Sequence, residues 1–279
     1  IVLIILGDVF QVPVGDLFAA AIGPGLALVG AYVLFILVVS YFYKDMAPAI
    51  PADPNRGSKK SQVVKALIDI IPSLTLIVLV LGSIFAGIAT PTESAAVGCI
   101  GAILLAVMYK SFSFQTVKEA SMESVKITSM VFGILIGATA FSMVFSYTGG
   151  EEIVEHFFLS LPGDEKWGFI IFTMIAILIL GFFIDFIEIS YIIVPILIPV
   201  SQALGVDPVW FAILIAMNLQ TSFLTPPFGF SLFYLKGCAP KSVRTSQIYK
   251  GVVPFIAIQI IVLGIVAFYP EFFGMTTGN

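Results

Sequence analysis

Long uninterrupted apolar segments dominate this chain and decide what it can fold into. A helix of about 20 apolar residues spans the hydrocarbon core of a bilayer, and several segments reach that length, the first being 17–43. Only 11% of the 279 residues are charged, whereas soluble domains carry about 25%. A transmembrane β-barrel would instead show short alternating segments. The sequence therefore predicts an all-α integral membrane protein surrounded by the lipid bilayer, with no nucleic-acid partner.

The chemistry-bearing residues give no sign of an enzyme. Cys99 and Cys238 form no disulfide, zinc or redox motif. His156 lies in the acidic segment "GGEEIVEHFF" and is interpreted as a surface residue. An intramembrane enzyme needs a nucleophile with its base, or a metal set, at membrane depth. The apolar segments contain no Ser-His pair, no His-Glu-x-x-His and no paired Asp, so we expect no enzyme and no cofactor.

Charged loops predict the topology. Basic residues favour the cytoplasmic side, which places 44–66, 110–126 and 236–250 inside and the acidic segment 150–166 outside. The predicted unbroken spans are 17–43, 67–89, 91–109, 127–148 and 251–270, and the interrupted segment 207–237 also crosses, from outside to inside. This order puts the C-terminus in the periplasm.

Segment 167–204 must then begin and end outside. It forms either two full spans or one re-entrant hairpin, because both arrangements return the chain to the outside. Its legs of about 17 and 15 residues are short for full crossings. The interruption "IDFIEIS" lacks Lys and Arg but holds Asp185 and Glu188. We favour a hairpin that dips in from outside, with its tip in a cavity or buried in protein, where carboxylates mark ion or substrate pathways.

The stretch "LTPPFGF" at 224–230 breaks the apolar segment 207–237. Pro226 and Pro227 donate no backbone hydrogen bond, so carbonyls near Thr225 lose their helical partners and become available to a cation. The second half-helix is expected to begin near Phe228, and its N-terminus favours an anion. The polar residues before the break either bind a polar solute or repair freed backbone groups: Asn218, Gln220, Thr221 and Ser222.

Two further motifs have simple structural interpretations. Thr90 and Glu93 in "TPTE" predict a capping box that starts the span 91–109. Small residues in the span 127–148 indicate close helix packing, with substrate contact as the alternative; they are Gly137, Thr139, Ser142 and Ser146.

A shift of 230 residues superposes Gly7 on Gly237 and Pro24 on Pro254. Because 1–12 is predicted to lead outward and 228–237 inward, the two copies would be inverted repeats. Under this register Ile1 pairs with Ser231, and the first copy's equivalent of "TPPFGF" would lie before residue 1. Together with the opening in the middle of an apolar run, this favours a C-terminal piece of a longer protein.

Three segments carry a family resemblance. "VGDLFAAAIGPGL" at 14–26, "GIATPTESAAVG" at 87–98 and the segment 181–237 that begins "GFFIDFIEIS" resemble the large membrane subunit of tripartite ATP-independent periplasmic (TRAP) transporters. The resemblance covers essentially the whole chain and implies that about the first third of the subunit is absent.

The resemblance implies an elevator fold of the ion-transporter superfamily, in which a transport domain with re-entrant hairpins moves against a scaffold. The implied function is Na⁺-coupled import of small organic acids across the bacterial inner membrane. The implied partners are a small membrane subunit and a periplasmic substrate-binding protein. The implied parts are 1–12 as the remnant of a first broken helix, 13–126 as scaffold spans and amphipathic arms, 127–237 as transport domain with its hairpin at 167–204 and broken helix at 207–237, and 238–279 as a scaffold span.

The implied site lies between the hairpin tip and the broken helix. The residues assigned to Na⁺ are Gly181, Asp185, Glu188, Ser190, Thr225 and Pro226. Those assigned to substrate are Asn218, Thr221, Phe228 and Gly229. Glu188 departs from the family pattern, in which many members have an apolar residue there. A single-subunit anion or dicarboxylate symporter of the same superfamily is the alternative, and a non-transporting scaffold or channel is a further one.

Overall fold

A computed structural model describes residues 1–43, 59–160, 164–226, 229–240 and 243–278. The described residues form helices and connecting turns and contain no strand, which confirms the all-α prediction. The helices are α1 Val2–Phe10, α2 Val14–Phe42, α3 Lys59–Phe85, α4 Pro91–Met108, α5 Phe114–Tyr147, α6 Gly150–Leu159, α7 Glu165–Leu180, α8 Phe186–Glu188, α9 Val194–Ala203, α10 Pro208–Leu224, α11 Phe230–Cys238 and α12 Thr245–Phe268.

Six helical segments of the described chain are long and apolar enough to cross a bilayer. They include all five predicted unbroken spans, and the sixth is the second hairpin leg, Phe186–Ala203. Length and composition thus leave both readings of 167–204 open, and the re-entrant hairpin stays a prediction. The cytoplasmic loop predicted at 44–66 lies mostly outside the described residues, as does Lys241.

The segment 110–126 and the predicted span after it form one helix, α5. Its 34 residues correspond to a length of about 51 Å, which exceeds a hydrocarbon core of about 30 Å. No proline or glycine interrupts the junction near Lys126, so the backbone hydrogen bonds continue through it. Similarly, α3 runs without a break from the polar residues at its start into its apolar part.

By packing, the chain divides into two units, residues 1–35 with 128–279, and residues 36–127. Helix α10 forms the centre of the first unit and packs on α1, α7 and α12. Trp210, Phe211 and Leu214 are fully buried in its core. The Trp210 indole nitrogen donates to the Val266 carbonyl of α12 at 3.1 Å, which satisfies the buried polar atom that this ring carries.

In the second unit, α3 and α4 form a packed pair. Small residues of α4 lie at this contact. Gly101 lies against Leu76, and the Oγ of the fully buried Ser94 is hydrogen-bonded to Ser83 Oγ at 2.8 Å. The predicted capping box is confirmed at the start of α4.

Thr90→Ala is expected to lower the free energy of unfolding by about 1 kcal/mol. Thr90 Oγ1 accepts from the Glu93 N–H at 3.3 Å, and Glu93 Oε2 accepts from the Thr90 N–H at 2.8 Å. The alanine removes the first bond and leaves an N–H at the helix end without its partner. Reversible denaturant unfolding of the full-length protein in detergent measures the change, with exposed Ser121→Ala as control. Equal stability of the two variants would contradict the role of the box.

The predicted boundaries between scaffold and transport parts stay a prediction. Packing groups α12 and the first part of α2 with the hairpin and the broken helix. The proposed repeat has matching element order, since a nine-residue helix precedes a long helix in both copies. Pro24 and Pro254 lie inside the long helices, α2 and α12.

Candidate ion and substrate site

Residues 165–203 form two helical legs and are called the hairpin here, whether or not they cross the membrane. The hairpin turns at residues 181–185, between α7 and α8. The Gly181 N–H bonds to Ile177 O at 2.8 Å and closes the last turn of α7. Asp185 then precedes α8 in an extended conformation, and its Oδ1 accepts from the Phe186 N–H at 2.7 Å. The turn falls at the interruption that the sequence indicates, and it places the Asp185 carboxylate at the hairpin tip.

Gly181 lies directly against α10. A β-carbon at this position would lie 2.5 Å from Ser222 Cβ and would also overlap Ser222 Oγ. Side chains cannot approach this closely, so only glycine allows the hairpin turn to reach α10 here. On the other side of the tip, the rings of Phe186 and Phe223 pack edge to face with centroids 5.4 Å apart. The hairpin tip is therefore in contact with the end of α10.

The helix break is confirmed between Leu224, where α10 ends, and Phe230, where α11 begins. Thr225 satisfies two carbonyls near the end of α10. Its N–H bonds to Ser222 O at 3.0 Å, and its Oγ1 donates to Thr221 O at 2.9 Å. Its own carbonyl accepts from the Gly229 N–H at 3.1 Å. The carbonyl of Phe223 would pair with residue 227 in a continuous helix, but Pro227 has no N–H to donate.

A cavity of about 140 Å³ lies between the hairpin tip and the break. Asp185 and Gly181 line it from the hairpin, and Ser222 and Gly229 line it from the broken helix. The remaining lining residues are apolar: Phe183, Ile184, Phe186, Leu219 and Phe223. The volume accommodates a cation together with several water molecules, and cavities of about 150 Å³ can hold a ring as large as benzene.

Several residues at this cavity carry oxygen acceptors. Ser222 Oγ donates its hydrogen to Asn218 O at 3.2 Å, so its lone pairs remain for a ligand. Among the described residues, the second carboxylate oxygen of Asp185 has no hydrogen-bond partner. The Phe223 carbonyl oxygen lies 3.0 Å from the position of a β-carbon on Gly229. A negatively charged set of carboxylate, hydroxyl and carbonyl oxygens suits a hard cation.

The structure brings only part of the predicted set to this cavity. Gly181, Asp185 and Gly229 line it. Thr225 and Pro226 lie in the adjacent break, and Phe228 lies outside the described residues.

The second hairpin leg holds the other two predicted ion ligands away from the cavity lining. Residues 189–193 form a turn of π-helix, a distortion often found at functional sites. Ser190 is fully buried there, and neither Ser190 Oγ nor Glu188 Oε2 has a hydrogen-bond partner among the described residues. Ion binding by these two side chains stays a prediction.

The two polar residues predicted to contact substrate on α10 are buried in helix packing. Asn218 Nδ2 donates to Met174 O of α7 at 2.6 Å, and Thr221 Oγ1 donates to Met217 O at 3.0 Å. Neither side chain lines the cavity, whereas Ser222, one residue further along, does. Their assignment to substrate stays a prediction.

A second, more polar cavity of about 480 Å³ lies in the same unit. Asp8 and Tyr191 line it together with the small polar residues noted in α5: Thr139, Ser142 and Ser146. Thr139 Oγ1 donates to Leu135 O within its own helix at 2.8 Å. These side chains do not reach the cavity at the hairpin tip, so the structure separates them from the predicted ion site.

Comparison with known proteins identifies the family. Residues 1–272 match the family model described as "Tripartite ATP-independent periplasmic transporter, DctM component". The chain belongs to the DctM family. This confirms the resemblance seen in the sequence, and curated relatives carry the names of transporter permeases and not of enzymes.

Several curated relatives of this DctM chain are TRAP permeases with different named substrates. It is 32% identical to the sialic acid TRAP transporter large permease protein SiaM of Vibrio cholerae over 97% of the chain and 61% of the relative. It is 30% identical to the C4-dicarboxylate TRAP transporter large permease protein DctM of Rhodobacter capsulatus over 92% and 56%. The isethionate TRAP transporter permease protein DctMQ of Oleidesulfovibrio alaskensis is 31% identical over 96% and 41%. The chain thus spans about 60% or less of these relatives' lengths.

Proposed function

We propose that this chain forms part of the large permease subunit of a TRAP transporter that couples Na⁺ entry to the import of a small organic anion. The observation that carries the proposal is the cavity in which the Asp185 carboxylate of the hairpin meets Ser222 and Gly229 of the broken helix. Hairpin tips and interrupted helices are the parts with which such transporters hold ions near the middle of the membrane.

Sodium fits this site better than a divalent ion. The cavity presents one carboxylate, and uncharged oxygens supply the rest of its polar lining. One negative charge balances one monovalent cation, whereas Ca²⁺ sites usually gather several carboxylates.

An organic anion would bind beyond this cavity, toward the start of α11. The first N–H groups of a helix are unpaired and carry a positive partial charge. Gly229 precedes α11 without a side-chain cap. The Leu232 N–H already bonds to Gly229 O at 2.8 Å, so the N–H groups of residues 230 and 231 are the ones proposed to face a ligand. A bound Na⁺ beside them would add a second positive charge, which links occupancy by the cation to affinity for the anion.

The partners and location are part of the same proposal. Relatives named as TRAP large permeases support assembly with a small membrane subunit and delivery of substrate by a periplasmic binding protein. The membrane would be the inner membrane, with the C-terminus on the periplasmic side. The relatives' names include sialic acid, C4-dicarboxylates, isethionate and ectoine, all small organic compounds with an acidic group, so a small organic acid is proposed as the class of solute.

Reconstituted uptake tests this function. The full-length permease, its small subunit and its binding protein are assembled with proteoliposomes, and the probe is the radiolabelled compound that co-purifies with the binding protein. An inward Na⁺ gradient is expected to raise initial uptake at least about tenfold over a K⁺ gradient, since the ion and solute share one conformational change. Equal uptake in the two gradients would overturn Na⁺ coupling. Full uptake without the binding protein would instead favour a single-subunit symporter.

A further inference from the structure

The base of the hairpin, opposite its tip, is tied to the C-terminal segment of the chain. Lys166, in the first turn of α7, donates from Nζ to Gly205 O at 3.2 Å and to Gly278 O at 3.1 Å. Gly205 directly follows the second hairpin leg, so the first of these bonds joins the two legs. The second bond joins both legs to the C-terminal segment 275–278, through Gly278, which lies 112 positions away in sequence from Lys166.

The same segment also holds the start of α10. The Asp207 N–H donates to Thr277 O at 3.1 Å. Asp207 Oδ1 in turn accepts from the Trp210 N–H at 2.8 Å and caps α10. The C-terminal segment therefore bridges the hairpin and the helix that carries the other wall of the cavity.

Gly278 is the residue of the C-terminal segment that lies against the 205–207 loop. Its φ of +85° is a conformation that residues with a side chain rarely adopt. A β-carbon there would overlap Gly205 O and would lie 2.7 Å from Asp207 N. The backbone of residue 278 thus approaches the 205–207 loop as closely as a glycine permits.

The end of α9 favours the positive charge of Lys166. Val206 N–H bonds to Ser201 O at 2.8 Å and Gly205 N–H to Gln202 O at 3.1 Å, with Gly205 in the left-handed conformation. This is a Schellman motif, which ends the helix and pairs the carbonyls of Ser201 and Gln202. The partial negative charge at a helix C-terminus attracts an ammonium group, so Lys166 is held by charge as well as by hydrogen bonds.

Aromatic packing reinforces the same junction. The Trp167 ring stacks on Phe268 of α12 with centroids 4.9 Å apart and meets the buried Trp210 ring edge to face at 6.1 Å. The first turns of α7 and α10 and the last turn of α12 therefore meet beside the Lys166 contacts.

We propose that Lys166 and residues 275–278 form a clasp that fixes the base of the hairpin, so that the hairpin opens only at its tip, residues 181–185. Lys166 is a positioning residue in this account, because it acts on the cavity through the hairpin and does not contact the ion. The inference rests on the proposed function only for the effect on Na⁺ binding. The mechanical claim, that the clasp restrains both legs, holds without any ion.

Hydrogen exchange of the full-length permease tests the clasp. Lys166→Met keeps the length of the side chain and removes its donors, so amide exchange in residues 165–203 without Na⁺ is expected to rise roughly tenfold, given the strength of hydrogen bonds to charged groups. Lys166→Arg should restore slow exchange, since it keeps a cationic donor. Gly278→Ala should act like Lys166→Met, and exposed Lys250→Met serves as the matched control.

Two results would overturn the clasp. One is unchanged exchange in residues 165–203 in both Lys166→Met and Gly278→Ala. The other is an equal rise across the α3–α4 pair, which would show general destabilisation. The Na⁺ concentration that gives half-maximal protection of the tip should rise roughly tenfold in Lys166→Met, because a loose base must be ordered when the ion binds. Suppose that Na⁺ does not change amide exchange at the tip of the wild-type protein, while exchange in residues 165–203 still rises in Lys166→Met. The clasp then stands and the proposed Na⁺ coupling fails.

Discussion

Gly181→Ala is expected to reduce Na⁺-driven uptake by the full-length permease roughly tenfold to a hundredfold, since overpacking a close contact costs about 1–3 kcal/mol. The new β-carbon would lie 2.5 Å from Ser222 Cβ, so the hairpin tip must move away from α10. This movement separates Asp185 from the broken helix and opens the cavity. Initial uptake rates in proteoliposomes, normalised to the amount of folded protein, measure the effect.

Two further variants make the Gly181 result specific. Gly264→Ala adds the same methyl group to α12, where nothing lies within 4 Å of it, and should transport normally. Gly181→Ala combined with Ser222→Gly removes the Ser222 atoms that the new methyl group would strike. It should restore slow amide exchange at residues 181–185, whereas Na⁺ affinity should stay low because the Ser222 hydroxyl is lost. Normal uptake by Gly181→Ala alone would show that the close approach of hairpin and α10 is not needed.

Asp185→Asn is expected to raise the Na⁺ concentration for half-maximal uptake by roughly tenfold to a hundredfold, the range expected when a charged partner in a partly buried site is lost. Asparagine keeps an oxygen to accept from the Phe186 N–H, so the start of α8 should survive the change. The measurement is uptake against external Na⁺ at saturating delivery of substrate.

The matched control for Asp185 is Asp8→Asn. Asp8 is also a carboxylate of the first unit, but it lines the second cavity and not the one at the hairpin tip. Its Na⁺ dependence should remain that of the wild type. If the Asp8 variant shifts and the Asp185 variant does not, the ion belongs to the second cavity.

Local chemistry made several elements predictable. Pro226 and Pro227 cannot donate to a helix, so the sequence located the break between α10 and α11. Thr90 and Glu93 predicted the start of α4 for a similar reason, because their side chains satisfy N–H groups that every helix start leaves unpaired. The hairpin turn was predictable from two carboxylates in an otherwise apolar segment.

Which side chains face the ion cavity was less predictable. Asp185 and Glu188 are three residues apart, a spacing that would put them on one face of a helix. Asp185 instead precedes the helix in an extended conformation, with φ −72° and ψ 161°, and of the two carboxylates only that of Asp185 belongs to a residue lining the cavity. A turn of π-helix then changes the phase of the residues that follow, and no pattern in the sequence indicated it.

The choice among the polar residues of α10 depends on tertiary packing. Successive residues of a helix point about 100° apart, so Thr221 and Ser222 cannot both face the hairpin turn. The Asn218 amide bonds to α7 and fixes the rotation of α10. This rotation brings Ser222 to Gly181, a contact between residues 41 positions apart that sequence periodicity does not specify.

Direct binding of radioactive Na⁺ to the purified full-length permease tests the central claim, that the hairpin and the broken helix share one cation. Asp185→Asn and Ser222→Ala are measured singly and together. If both side chains contact the same ion, each single variant should weaken binding, and the double variant should weaken it by clearly less than the product of the two effects. Wild-type affinity in both single variants, or independent losses that multiply in full, would contradict a shared site.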